Sequence, residues 1–236
     1  MIPGRKVQRD DTETEISVGA GRVTLSGTLG LPRDTRMIVV FAHGSGSSRH
    51  SPRNRYVART LQRQGIGTLL FDLLTTDEEA IDEATAELRF NIPFLANRLC
   101  AVTLWLIHQP DVRHLKLGYF GASTGAAAAL VAAAQLSDAI GAVVSRGGRP
   151  DLAGDALTLV KCPTLLIVGG NDRPVIQMNQ DALSWLKCEK RLILVPGATH
   201  LFEEPDALEQ VARLATQWFK THLMGAKGDA AKARFF

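Results

Sequence analysis

The sequence predicts an α/β protein with a mostly parallel central sheet, an N-terminal antiparallel hairpin and helices on both faces of the sheet. Two observations lead to this prediction. Near the start of the chain, polar and apolar residues alternate, as they do in strands with one wet face. Further on, short apolar runs alternate about five times with helical stretches, which is typical of parallel strands joined by right-handed crossovers.

The hairpin is predicted from residues 13–18 and 22–31, whose side chains alternate in polarity. Between them lies a Gly-Ala-Gly segment at 19–21, which we expect to form the turn.

The buried strands are predicted from six runs rich in Val, Ile or Leu, because a parallel strand covered on both faces has no wet side. They lie at residues 37–42, 66–71, 115–120, 139–144, 164–168 and 191–195. Helical stretches lie between and after them, at residues 56–61, 92–107, 126–136, 178–185 and 207–219.

We expect one domain over residues 1–224, since 236 residues with 45% apolar content suffice for a core without disulfides or metals. The acidic stretch 77–90 forms either the first turns of the helix at 92–107 or a small lid. Residues 225–236 are predicted to be a flexible tail.

Composition excludes several classes of protein. A net charge of +3, without basic runs interleaved with aromatic residues, argues against nucleic-acid binding. Cys100, Cys162 and Cys188 are odd in number and widely spaced, so they predict neither a disulfide framework nor a zinc site. No apolar run is long enough for a membrane helix, and the first residues lack the apolar core of a signal peptide. We therefore expect a cytoplasmic protein with no membrane partner.

The candidate nucleophile is Ser123, in the segment GASTG directly after the run at 115–120 and before a helical stretch. A catalytic serine stands clear of the sheet at a strained strand-to-helix turn, where glycines on both sides prevent collisions. The helix behind it offers free N–H groups to a developing oxyanion. The alternative is a glycine-tolerant turn with an idle serine.

The candidate base is His200, which alone among six histidines lies in a loop after a late strand. A histidine base needs an acid to fix its tautomer, and Asp172 follows the strand just before that loop. Asp172 as a plain turn or N-cap residue is the alternative interpretation, and Asp72 and Asp151 are rival acids.

The oxyanion hole is predicted to combine the backbone N–H groups of Ser45 and Thr124. Ser45 lies in the glycine-containing loop after the run at 37–42, and Thr124 directly follows the serine. We interpret His43, in the same loop, as a structural residue.

Four motifs occur in the order and spacing of one known superfamily. They are HGSGSSRH, GASTG, GGNDRPV and GATHLF, and the likeness extends from the hairpin to about Leu223. The chain resembles an α/β-hydrolase and is similar to dienelactone-hydrolase-like proteins. This resemblance implies an esterase or lactonase with a Ser123–His200–Asp172 triad and no metal or organic cofactor. Dienelactone hydrolase proper uses a cysteine, so its substrate does not carry over to a chain with Ser123.

Arginines follow two of the predicted strands. Arg146 and Arg149 would lie on the rim of the site, where guanidinium groups clamp carboxylates or phosphates. Arg49, Arg53 and Asn54 would line its entrance. The alternatives are a surface ion pair for Arg146 and Arg149, and a solvated loop and helix start for the others. If both clusters instead contact the substrate, they predict an anionic substrate.

The predicted function is hydrolysis of a small carboxylic ester or lactone through an acyl-enzyme. A ligand-binding or sensing module with little turnover is one alternative, and a small-substrate peptidase or amidase is another. The sequence does not determine the oligomeric state, for which a homodimer is one option.

Overall fold

The computed structural model describes residues 13–224, so the predicted tail at 225–236 lies outside the described residues. The strands are β1 (Glu13–Ala20), β2 (Val23–Gly30), β3 (Met37–Ala42), β4 (Gly67–Phe71), β5 (Lys116–Ala122), β6 (Ile140–Arg146), β7 (Thr164–Gly169) and β8 (Lys190–Val195). They form one sheet in the order β1-β2-β4-β3-β5-β6-β7-β8. Strand β2 is antiparallel to both β1 and β4, and the remaining neighbours are parallel. The predicted fold is confirmed.

Helices cover both faces of the sheet. They are α1 (Pro52–Arg63), α2 (Thr76–Thr85), α3 (Ile92–Ile107), α4 (Thr124–Gln135), α5 (Arg173–Trp185) and α6 (Ala207–Leu223). One apolar core lies beneath α3, α4 and α5, and the other lies beneath α1 and α6. Burial on both faces explains the continuous apolar character of β3, in which all six residues are buried.

Among the differences from the sequence predictions, three concern the hairpin and the surroundings of the candidate site. Strand β1 continues to Ala20, so the turn falls at residues 21–22 instead of 19–21. Strand β6 extends to Arg146, which the sequence placed in the following loop. The stretch 77–90 belongs to the separate helix α2 and a short 3₁₀ turn, Leu88–Phe90, and not to the first turns of α3. The sequence analysis also missed a 3₁₀ segment at Pro150–Leu159.

None of the helices between residues 13 and 224 has both the length and the apolar character needed to cross a bilayer.

Gly125 lies where the start of α4 packs tightly against the end of β3. A Cβ atom there would lie 2.3 Å from the carbonyl oxygens of Ala42 and His43, which are backbone atoms that cannot rotate away. We expect Gly125→Ala to lower the free energy of unfolding by about 3 kcal/mol or more, as severe overpacking does. Urea denaturation measures this.

The control is Gly65→Ala. Gly65 has φ +77° with no atom within 4 Å of the added carbon, so this variant should lose only about 1–2 kcal/mol, the cost of a left-handed alanine. Equal losses in the two variants would contradict the packing explanation.

Candidate active site

Ser123 occupies the turn between β5 and α4. Its φ of 50° and ψ of −123° are unusual for a residue with a side chain, and a conformation of this kind costs about 1–3 kcal/mol. The glycines on either side allow the sharp turn. A Cβ at Gly121 would lie 2.4 Å from the Ala126 Cα, and Gly125 is equally confined.

Asp172 and His200 are joined by a hydrogen bond. The Nδ1 atom of His200 lies 2.7 Å from Oδ2 of Asp172. Asp172 occupies the N-cap position of α5, yet its carboxylate makes no capping bond to that helix and contacts the imidazole instead. The Asp172 side chain is 12% exposed and that of His200 is 40% exposed, so the ring has one buried edge on the carboxylate and an open side.

The loop that carries His200 is held against the loop after β7. The N–H of Asn171 donates to the Ala198 carbonyl at 2.9 Å, and Nδ2 of Asn171 donates to the Gly197 carbonyl at 2.9 Å. Thr199, directly before His200, donates through both its N–H and its hydroxyl to Oε1 of Glu204, which follows His200 in the chain. These bonds fix the backbone on both sides of the imidazole.

Ser123 and His200 line the same cavity, which has a volume of about 230 Å³. We call it the Ser123 cavity; it lies between the loop after β3, the start of α1, the end of β6 and the loop of His200. Within residues 13–224 no hydrogen bond joins the Ser123 hydroxyl to the imidazole. Such bonds are often long before substrate binds and tighten in the complex.

The two residues predicted to form the oxyanion hole are in contact. The Ser45 N–H donates to Oγ1 of Thr124 at 3.0 Å, so one of the two predicted oxyanion donors is already engaged in this structure. The Thr124 N–H is the first of α4, where backbone donors have no partner within the helix. Gly44 allows the loop to lie close to Ser123, because a Cβ there would lie 3.0 Å from the Ser123 Cβ.

His43 ties the loop after β3 to the chain after β4. Its Nε2 accepts a hydrogen bond from the Leu73 N–H at 3.0 Å, so the ring proton is on Nδ1, which donates to the Gly44 carbonyl at 2.9 Å. Burial lowers the pKa of His43, although the Gly44 carbonyl and the charges of Asp72 and Glu79 act in the opposite direction. This geometry supports the predicted structural role.

The neutrality of His43 predicts a loss of stability in acid. Its pKa in the folded state is lower than in the unfolded state, so the unfolded state binds more protons as the pH falls below about 6.5. The stabilisation is present above that pH and is lost as the pH falls toward the folded-state pKa. We expect His43→Gln, whose amide oxygen can still accept from Leu73, to lose less stability than the native protein between pH 7.5 and pH 5. Urea denaturation at both pH values measures the difference, and parallel losses would contradict it.

Of Arg49, Arg146 and Arg149, the structure brings only Arg146 into the Ser123 cavity. Arg49 forms ion pairs with Asp72 and Glu15 instead. Arg149 pairs with Asp151 at 2.8 Å. These pairs also engage both rival acids, Asp72 and Asp151, with guanidinium groups.

Two further residues of the Ser123 cavity belong to the start of α1. Arg53 and Asn54 both line it, as the sequence analysis considered for the loop and helix start near Arg49. The signal that finds them is Pro52, a residue favoured in the first helical turn. It places the beginning of α1, and therefore these two side chains, directly after the loop that follows β3.

A second cavity, of about 240 Å³, lies on the other side of the loop that follows β3. It shares Gly44, Ser45 and Ser47 with the Ser123 cavity, and α2 contributes Glu79 and Glu83 to its wall. The stretch 77–90 thus borders this second cavity, and its role as a lid stays a prediction.

A serine at a strand-to-helix elbow, followed in the chain by an aspartate after β7 and a histidine after β8, defines an α/β-hydrolase. The model of the dienelactone hydrolase family matches residues 25–223, and the chain belongs to that family.

Several known proteins are similar to this chain. A crystal structure of a dienelactone hydrolase from Anabaena variabilis is 61% identical, with a TM-score of 0.88 over 89% of this chain and 98% of that one. A serine hydrolase without a lid from Xanthomonas campestris shares the fold at 21% identity, with a TM-score of 0.71 over 92% of this chain and 98% of that one. Two curated proteins, from two strains of Mycobacterium tuberculosis, are 59% identical over 90% of this chain and carry the provisional name phosphoribosyl transferase. The chain spans 47% of their length.

Proposed function

We propose that this protein is a serine hydrolase that cleaves a small carboxylic ester or lactone through an acyl-enzyme. The observation that carries the proposal is the 2.7 Å hydrogen bond between Asp172 and His200 beside the cavity that also contains Ser123. An aspartate on Nδ1 leaves Nε2 free to accept a proton, which is the requirement for a histidine base.

In the proposed reaction, His200 Nε2 takes the hydroxyl proton of Ser123 as Oγ attacks the substrate carbonyl carbon. The Asp172 carboxylate stabilises the imidazolium that forms. The carbon–oxygen bond to the leaving alkoxide then breaks, and the imidazolium donates its proton to that oxygen. A water molecule, deprotonated by His200, attacks the acyl-enzyme and releases the acid and free Ser123.

The oxyanion of each tetrahedral intermediate would lie at the start of α4. The Thr124 N–H is directed from the helix terminus, where the partial positive charge of the helix also favours an anion. The Ser45 N–H would be shared between the oxyanion and the Thr124 hydroxyl that accepts it in this structure.

The name of the mycobacterial relatives supports a different activity, phosphoribosyl transfer. We propose that this name refers to the half of those proteins that does not match this chain. The support is that residues 25–223 match the dienelactone hydrolase family and that the chain covers 98% of a dienelactone hydrolase.

The test is hydrolysis of a panel of p-nitrophenyl esters, small lactones and the corresponding anilides. We expect turnover of esters or lactones well above the buffer rate and little turnover of anilides, whose leaving groups are poorer. An inert protein that nevertheless binds these compounds would favour a sensing module. Faster cleavage of the anilides would favour an amidase.

A further inference from the structure

The Ser123 cavity contains a buried positive charge without a carboxylate partner. Arg146, the last residue of β6, is 7% exposed. Its Nε atom has no hydrogen-bond partner within residues 13–224, and Nη2 has only a long contact of 3.5 Å to Oδ1 of Asn54. By contrast, Arg98 is equally buried but forms an ion pair with Glu78. A buried charge without a partner is costly, so Arg146 is exceptional among the arginines described.

Packing holds the Arg146 guanidinium in place without neutralising it. The guanidinium carbon lies 5.8 Å from the centre of the Phe202 ring. Phe202 is 1% exposed and belongs to the loop that carries His200. The Arg146 guanidinium is therefore held between the loop of His200 and the start of α1, in the cavity that Ser123 also lines.

A second guanidinium faces the same cavity. The Nε atom of Arg53 is buried with no partner in the described part of the chain, while Nη1 pairs at 2.9 Å with Glu203, whose side chain is 66% exposed. Burial and the charge of Arg53 together lower the pKa of Arg146 to about 10. A pKa of about 10 leaves Arg146 charged at neutral pH. The exposed Glu203 carboxylate, screened by solvent, compensates little of the positive charge in the cavity.

The start of α1 adds to this positive field. Asn54 lines the cavity beside Arg53, and α1 has 12 residues, long enough to present a partial positive charge at its first turn. Two guanidiniums and a helix terminus match a doubly charged, tetrahedral anion better than a single carboxylate, because one negative charge leaves the second arginine uncompensated.

We propose that the Ser123 cavity binds the phosphate monoester group of a phosphorylated substrate, with Arg146 and Arg53 as the phosphate-binding residues. This inference rests on the proposed function, which places the scissile ester or lactone carbonyl of the same substrate at Ser123. It names the substrate class: a phosphorylated ester or lactone, whose charged end determines which carbonyl reaches the nucleophile.

Binding is tested separately from catalysis. Isothermal titration calorimetry with glycerol phosphate, which is largely dianionic at pH 7.5, is performed on Ser123→Ala. We expect saturable binding of glycerol phosphate. At matched ionic strength, the affinity for acetate should be lower by about ten-fold or a larger factor. We expect Arg146→Gln, in the same background, to weaken glycerol phosphate binding by about 30-fold, as the loss of a charge-assisted bidentate contact does.

Three variants make the result specific. Arg53→Gln should weaken binding by a smaller factor, because this arginine already shares its charge with Glu203. Arg146→Lys keeps the positive charge but loses the planar guanidinium, and it is the variant to use if Arg146→Gln fails to fold. It should bind glycerol phosphate several-fold more weakly than the protein with Arg146. Arg149→Gln is the control, since Arg149 is paired with Asp151 and does not line the cavity, and it should bind normally.

Unchanged binding in Arg146→Gln, or acetate binding as tight as that of glycerol phosphate, would overturn the inference. Absence of phosphate binding in a protein that hydrolyses neutral esters would overturn it while leaving the proposed function intact. Phosphate binding by a protein without hydrolase activity would support the phosphate site and overturn the proposed function.

Discussion

Replacing Ser123 with alanine is expected to lower kcat for a short p-nitrophenyl ester by about 10⁴- to 10⁶-fold, because triad members act as a unit and the loss of one removes the acyl-enzyme route. KM should change little, since the side chain removed is small and lies at the wall of the cavity. The free energy of unfolding should not decrease, because alanine adopts the strained turn no less readily than serine. Steady-state kinetics and urea denaturation measure these effects.

Ser184→Ala is the matched control. Ser184 is an exposed serine of α5 whose hydroxyl donates only to a backbone carbonyl, that of Asp181. This variant should retain full activity. A Ser123→Ala protein that keeps more than about one tenth of the native kcat would rule out Ser123 as the nucleophile.

Replacing Asp172 with asparagine should produce the second-largest effect, a fall in kcat of about 10³- to 10⁴-fold. The carboxylate accepts a hydrogen bond from His200 Nδ1 at 2.7 Å. An asparagine amide that donates to Nδ1 would hold the proton on Nε2, the atom that has to act as base. Fold and size are conserved, so substrate binding should persist while turnover is lost.

The control for this variant is Asp181→Asn on the same helix, where the exposed carboxylate only accepts from Gln177. Native kcat in Asp172→Asn would show that the acid lies elsewhere. Asp72 and Asp151 would then be tested in the same way, although each is engaged by an arginine in this structure.

The fold was predictable where burial is uniform along an element. Residues 37–42 are all apolar and all buried, so the sequence predicts the bounds of β3 correctly. The turn of the hairpin was not predictable, because Gly19 resembles a turn residue but lies inside β1. A Cβ there would lie 2.7 Å from the Trp105 side chain. Tertiary packing of α3 against β1, and not turn geometry, requires this glycine.

The candidate site was predictable as far as it depends on chain order. Ser123, Asp172 and His200 each follow a strand, and the carboxyl ends of parallel strands meet at one edge of the sheet. Their orientation was not predictable. Arg146 illustrates this limit, since a charged residue after an apolar run indicates a loop, yet it ends β6 as a buried side chain. Only the positions of neighbours such as Asn54 and Phe202 reveal that its charge lies in the Ser123 cavity.

The central claim is that the hydroxyl of Ser123 forms a covalent bond with the carbonyl carbon of its substrate. The most direct measurement uses a fluorophosphonate, which reacts with activated serines, followed by peptide mass spectrometry of the labelled protein. We predict a single adduct on the peptide that contains Ser123 and its disappearance in His200→Ala, which lacks the base. An adduct on another serine, or an unlabelled protein that still hydrolyses esters, would contradict the account.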